Sequence, residues 1–381
     1  MIYLDNAATT YPKPRSVINA VNNAMLIYGA NPGRSGHELS VKTAEMVYDT
    51  RNELNDFFNG YGAEYVGFTQ NCTQALNTAI KGFLKKGDHV VISSLEHNSV
   101  VRPLEALKVQ GFADYSVFQV SSDKERTIKK FADAFTPQTR LCVVTAVSNV
   151  FGDILPLKEM SKIAHFKGAK FFVDGAQGAG VILLDMKEQE IDCLCIPGHK
   201  GLLGPMGTGA LLHNNIDFQS FIQGGTGSES FNLLQPDSFP ERLESGTLNV
   251  PGICGLRQGL KVVELKGVKN IHKIETEICN EIIYGLERID GVEVYRDKGN
   301  KHYAPLVSFN VKNIHSEVVS AMLNKGGVAV RGGYHCAPLA HISRETKGTG
   351  TVRVSPSFFT NKKDINILLN LVRKIAIKDF I

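Results

Sequence analysis

Residues 191–209 read Ile191-Asp-Cys-Leu-Cys-Ile-Pro-Gly-His-Lys200-Gly-Leu-Leu-Gly-Pro-Met-Gly-Thr-Gly209, an apolar run followed by a glycine-rich loop that carries one lysine. The run predicts a strand covered on both faces, and packing alone does not explain so many glycines in the loop. A lysine in such a partly desolvated place keeps its amine neutral more readily, which suits Schiff-base chemistry. A surface lysine in a turn is the plainer alternative, and we prefer a functional Lys200 only because other polar clusters accompany it.

Outward from this stretch, short apolar runs alternate with segments of helical period. The predicted strands are Tyr65–Thr69, His89–Ser93, Tyr115–Val120, Leu141–Thr145, Lys170–Asp174 and Ile191–Ile196. The predicted helices between them are Thr73–Phe83, Ser99–Gln110, Ile128–Phe135 and Lys158–His165. Strands and helices that alternate in this way predict an α/β fold with a mostly parallel sheet flanked by helices.

The pattern changes after about residues 247–251. A long helical stretch is predicted from about Gly255 to Leu286, and a separate set of elements follows it. These elements are the strands Val292–Tyr295, Leu306–Val311 and Thr351–Ser355 and the helices Ser316–Lys325 and Lys363–Ile377. Because 381 residues exceed the usual size of one hydrophobic core, we predict two domains. The large domain spans residues 16–260, and residues 1–15 and 261–381 form a smaller α+β domain.

Composition restricts the possible classes of protein. A formal net charge of +4 over this length favours neither a nucleic-acid-binding surface nor an acidic tail. The N-terminus does not resemble a signal peptide, and no apolar run is long enough to span a bilayer. Seven scattered cysteines do not resemble a secreted disulfide framework. A cytoplasmic protein with free thiols and without nucleic-acid or membrane partners is the simplest interpretation.

Three polar clusters follow predicted strands, at the edge where open α/β sheets bind ligands. The first, residues 69–73, reads Thr-Gln-Asn-Cys-Thr and opens a helix that could bind a phosphate, although an ordinary N-cap explains it better when taken alone. His97 could lie over an aromatic ligand or be a polar loop residue. Asp174, followed by Gln177, could pair with a protonated ring nitrogen or cap a helix.

A fourth cluster lies in the smaller domain, in Val330-Arg331-Gly-Gly-Tyr-His335-Cys336. Nearby cations favour the thiolate form of a cysteine, which is its nucleophilic form. Most single cysteines are small buried residues, but Cys336 lies among polar and glycine residues, which favours reactivity. Arg353 could bind a substrate carboxylate through two hydrogen bonds, or be a surface charge on a strand.

Two other patterns carry no functional prediction. Residues 175–180 follow a strand, but their glycines are spaced GxxGxG, the reverse of the dinucleotide-binding fingerprint. Cys193 and Cys195 share one face of a predicted strand and are interpreted as core residues. With His199 they would form a zinc site of unusual spacing, so no metal is predicted.

Together these motifs resemble the class V aminotransferases, enzymes of fold type I that depend on pyridoxal 5'-phosphate (PLP), and within them the cysteine desulfurases. The resemblance runs from Tyr3-Leu-Asp-Asn-Ala-Ala-Thr-Thr10 to Thr351-Val-Arg-Val-Ser355. The compact loop that ends at Cys336 resembles the group II branch, which is Suf-type and selenocysteine-lyase-like. The resemblance implies PLP as the cofactor, Lys200 as its Schiff-base lysine, and Cys336 as the residue that receives sulfur.

The resemblance also implies roles for other residues. His97 would stack on the cofactor ring and relay protons, Asp174 would pair with the ring nitrogen, and Gln177 would bind the phenolic oxygen. The positions that match phosphate contacts are Cys72, Thr73 and His199, with Gly246 and Thr247 reaching the phosphate of a neighbouring subunit. The positions on the substrate side are His37, Asn149, Arg331 and Arg353.

The implied activity converts L-cysteine to L-alanine and leaves sulfur on Cys336 as a persulfide for a small acceptor protein, as in iron–sulfur cluster assembly. The implied assembly is a homodimer. Alternatives are a selenocysteine lyase acting on L-selenocysteine, an aminotransferase or lyase acting on another amino acid, and a non-catalytic protein that has kept the fold. The sequence departs from the family at Cys72, where threonine or another small residue is frequent, and it lacks the N-terminal extension common in group II.

Overall fold

The computed structural model describes residues 1–33, 35–296 and 302–377. Its main sheet is built from the strands β2 to β8. Their bounds are β2 Val66–Thr69, β3 His89–Ser93, β4 Asp114–Phe118, β5 Thr139–Thr145, β6 Lys170–Asp174, β7 Cys193–Pro197 and β8 Gly209–His213. The strand order is β2-β8-β7-β6-β5-β3-β4, in which β8 runs antiparallel to both neighbours and the strands from β7 to β4 are parallel. The predicted α/β class, with a mostly parallel sheet, is confirmed.

Helices cover both faces of this sheet, and the central strands are accordingly buried along their whole length. The helices of this part are α1 Arg15–Ile27, α2 Glu38–Phe57, α3 Cys72–Phe83, α4 Asn98–Val109, α5 Lys124–Asp133, α6 Leu157–Phe166 and α7 Val250–Lys266. The strands predicted from apolar runs agree with the structure to within two residues at each end. The helices α1 and α2 and the strand β8 were not predicted.

A smaller antiparallel sheet has the order β12-β13-β10-β9. These strands are β9 Val292–Val294, β10 Val307–Val311, β12 Arg331–Gly333 and β13 Thr351–Val354. Two further short strands, β1 Ile2–Tyr3 and β11 Val328–Ala329, pair with each other in parallel. The helices are α8 Val268–Leu286, α9 Ser316–Lys325, α10 Pro338–Ser343 and α11 Lys362–Ala376. Leu4 packs in the same apolar core as α8, β10 and α11.

The single helix predicted from Gly255 to Leu286 is wrong. The structure has two helices, α7 and α8, which are separated at Gly267. Gly267 has a φ of 79°, in the left-handed region that glycine adopts without steric cost. The apolar spacing continues through this residue, so hydrophobic periodicity alone does not reveal the break.

A cavity of about 570 Å³ lies between α8 and the loops around residues 304–306 and 355–358, and Glu275 of α8 lines it together with Lys200. The Glu275 side chain is buried, and Oε1 accepts a hydrogen bond from the Phe358 N–H at 3.1 Å. Burial raises the pKa of Glu275 from its usual 4.5 to about 8. The carboxyl group is therefore mostly protonated at neutral pH.

We expect Glu275→Gln to stabilise the protein at alkaline pH relative to wild type. A carboxyl whose pKa is raised by folding contributes stability that is complete below pH 4.5 and is lost as the pH rises towards 8, whereas glutamine stays neutral. The difference in unfolding free energy should therefore grow over this range by about 2–4 kcal/mol and then level off. Urea unfolding from pH 5 to 9 measures it. Glu277→Gln, at an exposed position of the same helix, is the control, and parallel pH profiles for Glu275→Gln and wild type would contradict the assignment.

Candidate active site

A cavity of about 500 Å³ opens at the carboxyl ends of the parallel strands of the main sheet. It brings together eight residues that the sequence analysis assigned to the cofactor or the substrate. They are Cys72, Thr73, His97, Asn149, Asp174, Gln177, His199 and Lys200. The predicted polar clusters therefore meet at one edge of the sheet, because parallel strands end on the same side.

Lys200 follows β7 and lines both this cavity and the neighbouring one that contains Glu275. Burial is the largest influence on its amine and lowers the pKa of Lys200, whereas the charge of Asp174 opposes that shift. Among the described residues the amine has no hydrogen-bond or ion-pair partner. A desolvated amine with no partner of its own is available to react with a carbonyl carbon.

Asp174 is the last residue of β6, and one of its two carboxylate oxygens is already held. Oδ1 accepts hydrogen bonds from the Ala176 N–H at 2.8 Å and from the Cys72 thiol at 3.4 Å. These two donors fix the orientation of the carboxylate, and Oδ2 remains for a ligand in the cavity. A buried carboxylate in this position can stabilise a cationic ring nitrogen.

Cys72 is the first residue of α3, and its side chain is buried against the sheet. The thiol lies 3.4 Å from both Asp174 Oδ1 and the backbone oxygen of Cys195. Burial, followed by the charge of Asp174, raises the pKa of Cys72 well above its usual value. The thiol of Cys72 is thus engaged with Asp174 and Cys195, and its predicted contact with a phosphate stays a prediction.

His97 caps α4, and its ring is held from one side. Nδ1 accepts a hydrogen bond from the Ser99 N–H at 3.1 Å and lies 2.8 Å from Ser99 Oγ, which in turn lies 2.8 Å from Thr73 Oγ1. Burial lowers the pKa of His97, so the neutral ring is favoured. Because Nδ1 accepts, the proton of the neutral ring is on Nε2, where it can be passed to a ligand.

Glu96 received no role in the sequence analysis, and the structure places it directly beneath this loop. Its Oε1 accepts hydrogen bonds from Ser93 Oγ at 2.5 Å and from the Thr145 N–H at 2.9 Å. Burial raises the pKa of Glu96 to about 8. A neutral carboxyl group therefore ties the end of β3 to the end of β5 and fixes the loop that carries His97. Glu96 lies three residues beyond the end of β3, and no local pattern in the sequence marks its contacts.

The cysteine loop, residues 334–337, is a short connection between β12 and α10. His335 and Cys336 have φ values of 49° and 57°, in the left-handed region that is unfavourable for residues with a side chain. Two contacts with residues that follow strands of the main sheet hold this conformation. Asn98 donates its N–H to Cys336 O at 2.7 Å, and Asn149 Nδ2 donates to His335 O at 2.7 Å. Cys336 is thereby held beside the loop of His97.

The environment of the Cys336 thiol differs in one respect from the sequence-based interpretation. Arg331 Nη2 lies 3.9 Å from Sγ, so this cation is close to the thiol as expected. The His335 ring instead lies near Thr351, with Nε2 3.0 Å from Thr351 O, and burial lowers the pKa of His335 to about 2. His335 is therefore neutral and supports the loop, whereas Arg331 supplies the positive charge. Cys336 is exposed, and the other six cysteines are buried.

Arg353 is fully buried on β13. Its Nη1 donates to Asn149 O at 2.8 Å, and its Nη2 pairs with Asp5 Oδ1 at 2.9 Å. The buried Nε has no partner within the part of the chain that the structure describes. A buried guanidinium N–H without an acceptor is costly, and a ligand carboxylate would supply the missing acceptor.

Arg331, Cys336 and Arg353 do not line this cavity themselves, and three further predicted positions are also absent from its lining. His37 is exposed and caps α2, where Nδ1 accepts a hydrogen bond from the Ser40 N–H at 3.2 Å. Gly246 has a φ of 88°, and Thr247 lines a separate cavity together with residues near Gly207. A role for these three residues in a site thus depends on a second subunit.

We expect Asn149→Ala to lower the turnover of a reaction that uses Cys336 by about tenfold while bound cofactor is retained, because the displaced loop no longer presents the thiol correctly. Steady-state kinetics, together with the visible absorbance of bound PLP, measures both quantities. Asn270→Ala is a suitable control, since Asn270 donates Nδ2 to a backbone oxygen on an exposed helix. A loss of bound PLP in parallel with turnover would show that Asn149 acts on the cofactor instead.

The family model for aminotransferase class-V matches residues 2–368. This chain belongs to that family. It is 33% identical to a probable cysteine desulfurase of Methanothermobacter thermautotrophicus over 98% of this chain and 94% of the relative. It is 32% identical to a probable cysteine desulfurase of Pyrococcus abyssi over 99% of this chain and 94% of the relative.

Solved structures of class-V aminotransferases share the whole fold. The apo structure of a cysteine desulfurase from Thermococcus onnurineus matches with a TM-score of 0.92 and 30% identity, covering 99% of this chain and 95% of that one. A cysteine desulfurase from Escherichia coli, in an S-sulfonic acid form, matches with a TM-score of 0.88 and 25% identity, covering 100% and 95%.

PLP is the cofactor of class-V aminotransferases, and the residues of the cavity fit it. The N-terminus of α3 offers backbone N–H groups for a phosphate, and the buried His199 Nδ1 has no partner among the described residues. Asp174 presents a carboxylate, and Lys200 presents a desolvated amine. This set of donors and acceptors suits an anionic group at one end of a ligand and a basic ring nitrogen at the other. Gln177 donates Nε2 to Ala7 O at 2.9 Å, so a contact with the phenolic oxygen would use its remaining N–H or its carbonyl oxygen.

Among the described residues, no helix has the length and apolar character needed to cross a membrane. Nor does this part of the chain contain a group of three or more histidine, cysteine, aspartate or glutamate side chains that could bind a metal ion. Cys193 and Cys195 are buried in the apolar core beneath the sheet, as expected from their alternation on β7.

Proposed function

We propose that this protein is a PLP-dependent cysteine desulfurase that converts L-cysteine to L-alanine and receives the sulfur on Cys336. The observation that carries the proposal is that the Cys336 backbone is bonded to Asn98, one residue beyond His97, so that an exposed thiol lies next to the cavity of Lys200. Transamination has no use for such a thiol. The full-length similarity to cysteine desulfurases supports the same activity.

When bound, PLP serves as an electron sink that makes the α-carbon of an amino acid acidic. Lys200 would hold the cofactor through its amine, and Asp174 Oδ2 would pair with the protonated ring nitrogen. Burial favours the neutral form of the Lys200 amine, so Nζ would be the base that takes the proton from the α-carbon of the substrate. His97 Nε2 holds a proton that can be passed to the substrate or to the leaving sulfur.

The sulfur step balances without an external oxidant. The Cys336 sulfur forms an S–S bond with the substrate sulfur while the bond between substrate Cβ and sulfur breaks. The electron pair of the broken bond remains on carbon, which takes up a proton and becomes the methyl group of alanine. The cysteine thiol of the enzyme is thereby converted to a persulfide. Arg331 Nη2, 3.9 Å from Sγ, places a positive charge beside the attacking sulfur.

Arg353 is the proposed binding group for the substrate carboxylate. Its buried Nε has no acceptor in the described part of the chain, and Asn149 and Asp5 hold the rest of the guanidinium in place. Arg331 is a second cation on the substrate side. A rigid arginine of this kind fixes the amino acid so that its side chain points towards Cys336.

A homodimer is the proposed assembly. Phe231, Leu233 and Leu234 are close in sequence and fully or mostly exposed, as is Met206, and monomeric proteins rarely expose large apolar patches. Thr247 lines a cavity with Gly207 and does not line the cavity of Lys200 in its own chain. A second copy would cover the apolar side chains and bring Gly246 and Thr247 to the phosphate of its partner.

A small acceptor protein in the cytoplasm would then collect sulfur from the exposed Cys336, for example for iron–sulfur cluster assembly.

The test is the release of alanine and sulfide from L-cysteine by PLP-loaded protein with a thiol reductant present. Equal amounts of both products are expected. L-selenocysteine is assayed in parallel, and activity on it alone would identify a selenocysteine lyase. A protein that binds PLP but produces pyruvate or a new amino acid from other donors would instead be a lyase or an aminotransferase.

A further inference from the structure

The segment of residues 5–13, which we call the N-terminal strap, crosses from the smaller sheet to the loop of Lys200. At its start it is bonded to the end of β13. Asn6 donates both its backbone N–H and its Nδ2 to Ser355 O, at 3.2 and 2.9 Å, and the Ala7 N–H donates to Ser355 Oγ at 2.9 Å. These contacts join residues almost 350 positions apart and fix the first half of the strap.

The second half of the strap binds the backbone of the lysine loop. The backbone oxygen of His199 accepts three hydrogen bonds, from Lys13 Nζ at 2.6 Å, Thr9 Oγ1 at 3.1 Å and the Thr10 N–H at 3.2 Å. The backbone oxygen of Lys200 accepts a fourth, from Thr10 Oγ1 at 2.8 Å. A carbonyl oxygen has two lone pairs, so three donors on one oxygen are more than an ordinary loop contact requires.

Lys13 makes this arrangement energetically unusual. Its side chain is half-buried, and no carboxylate pairs with it among the described residues. Burial lowers the pKa of Lys13 to about 8. A partly buried ammonium without a counter-ion is costly, and the hydrogen bond to His199 O offsets part of that cost. If Lys13 served stability alone, its side chain would be more favourable in solvent, where water solvates the ammonium group.

The strap also contacts the residues proposed to bind the substrate and the cofactor ring. Asp5 Oδ1 pairs with Arg353 Nη2 at 2.9 Å, and Ala7 O accepts a hydrogen bond from Gln177 Nε2 at 2.9 Å. One short segment therefore touches the arginine on the substrate side, a residue on the cofactor side and the backbone of the reactive lysine.

We infer that Thr10 and Lys13 are positioning residues for Lys200, and that the N-terminal strap sets the direction of the lysine side chain by fixing the two peptide oxygens that flank its α-carbon. This inference rests on the proposed function. The orientation of a side chain follows that of its own peptide units, so rotation of the peptide between residues 199 and 200 would move Nζ across the cavity. The geometry at the amine should therefore depend on the donors of the strap, although neither residue lines the cavity that Asp174 and His97 share.

The inference is tested with Thr10→Val, Lys13→Met and Lys13→Arg, each purified with PLP. Thr43→Val is the matched control, since Thr43 is also buried and also donates its hydroxyl hydrogen to a backbone oxygen, but on α2. The first measurement is the pH midpoint of the visible absorbance of bound PLP, which reports the environment of the lysine amine. Turnover of L-cysteine and its KM are measured next.

We expect Thr10→Val and Lys13→Met to shift the absorbance midpoint by about half a pH unit or more and to lower kcat by about threefold to tenfold, with KM changed less. Lys13→Arg should restore the midpoint, and Thr43→Val should leave it unchanged even where it lowers the melting temperature. Wild-type midpoints in both Thr10→Val and Lys13→Met would overturn the inference. If Thr10→Val or Lys13→Met does not fold, Thr9→Val is measured in its place, and a wild-type midpoint in Thr9→Val counts against the inference in the same way. A wild-type protein that does not bind PLP would contradict the proposed function instead.

Discussion

Replacement of Cys336 by alanine should lower the release of alanine and sulfide from L-cysteine by about 10³-fold or more, with bound PLP retained. The thiol is the proposed sulfur acceptor, and nothing else near it can replace it, because the other six cysteines are buried. Cys336 contacts the large domain through its backbone oxygen, which alanine keeps. The substitution should therefore impair the release of alanine and sulfide and leave the bound PLP in place.

Two measurements and a control variant distinguish this result from a general defect. The visible absorbance of bound PLP should match that of wild type, and mass spectrometry after brief exposure to L-cysteine should detect an added sulfur on the wild-type protein but not on Cys336→Ala. Cys254→Ala, at a buried position of α7, is the control for removal of a thiol. Equal alanine release by Cys336→Ala and wild type would exclude a persulfide on Cys336 and favour an aminotransferase or lyase.

Lys200→Ala should lower turnover by about 10⁴-fold, the largest effect expected of any single substitution. Two functions are lost together, since Lys200 both holds the cofactor and takes the proton from the α-carbon. The site offers no substitute, because Lys13, the other lysine close to this loop, is bonded to the backbone oxygen of His199. Borohydride reduction followed by peptide mass spectrometry should find PLP attached to Lys200 in wild type and no attached PLP in the variant.

The control for Lys200→Ala is Lys162→Ala, which removes an exposed lysine from α6. Exogenous methylamine gives a second check, since a small amine can replace the proton-transfer role of a missing lysine without restoring its covalent role. Partial rescue of turnover by methylamine would support the assignment of Lys200 as the base. Covalent PLP on another lysine in Lys200→Ala, with activity preserved, would contradict it.

The sequence analysis found the strands of the main sheet because their signal is local. Runs such as Cys193–Pro197 are apolar throughout, as strands buried on both faces must be, and the polar residues that follow them lie where the candidate site is. The helix α1 escaped prediction because Met25, Leu26 and Ile27 are exposed and disturb its apolar spacing. The strand β8 was missed because its five residues directly follow the glycine-rich loop.

The residues that carry the chemistry were also evident in the sequence, but their partners were not. Asp174 ends a strand, Lys200 and His97 follow strands by a few residues, and the resemblance to class-V aminotransferases gave each a role. The engagement of Cys72 with Asp174, the neutral state of His335 and the support from Glu96 depend on contacts that no motif encodes. The sequence contains each of these residues, but no local pattern in it predicts the contact that the residue makes.

The sequence by itself therefore determined the fold class and the edge of the sheet where the candidate site lies, and it predicted which lysine and cysteine are reactive. Only the tertiary structure decided that Cys336 lies beside the cavity of Lys200 and that the N-terminal strap holds the lysine loop. The physical reason is distance along the chain. Hydrophobic periodicity and turn residues report on neighbours a few positions apart, whereas the contacts of Cys336 with Asn98, and of Thr10 with Lys200, join residues about two hundred positions apart. Such contacts arise from the packing of whole elements against each other.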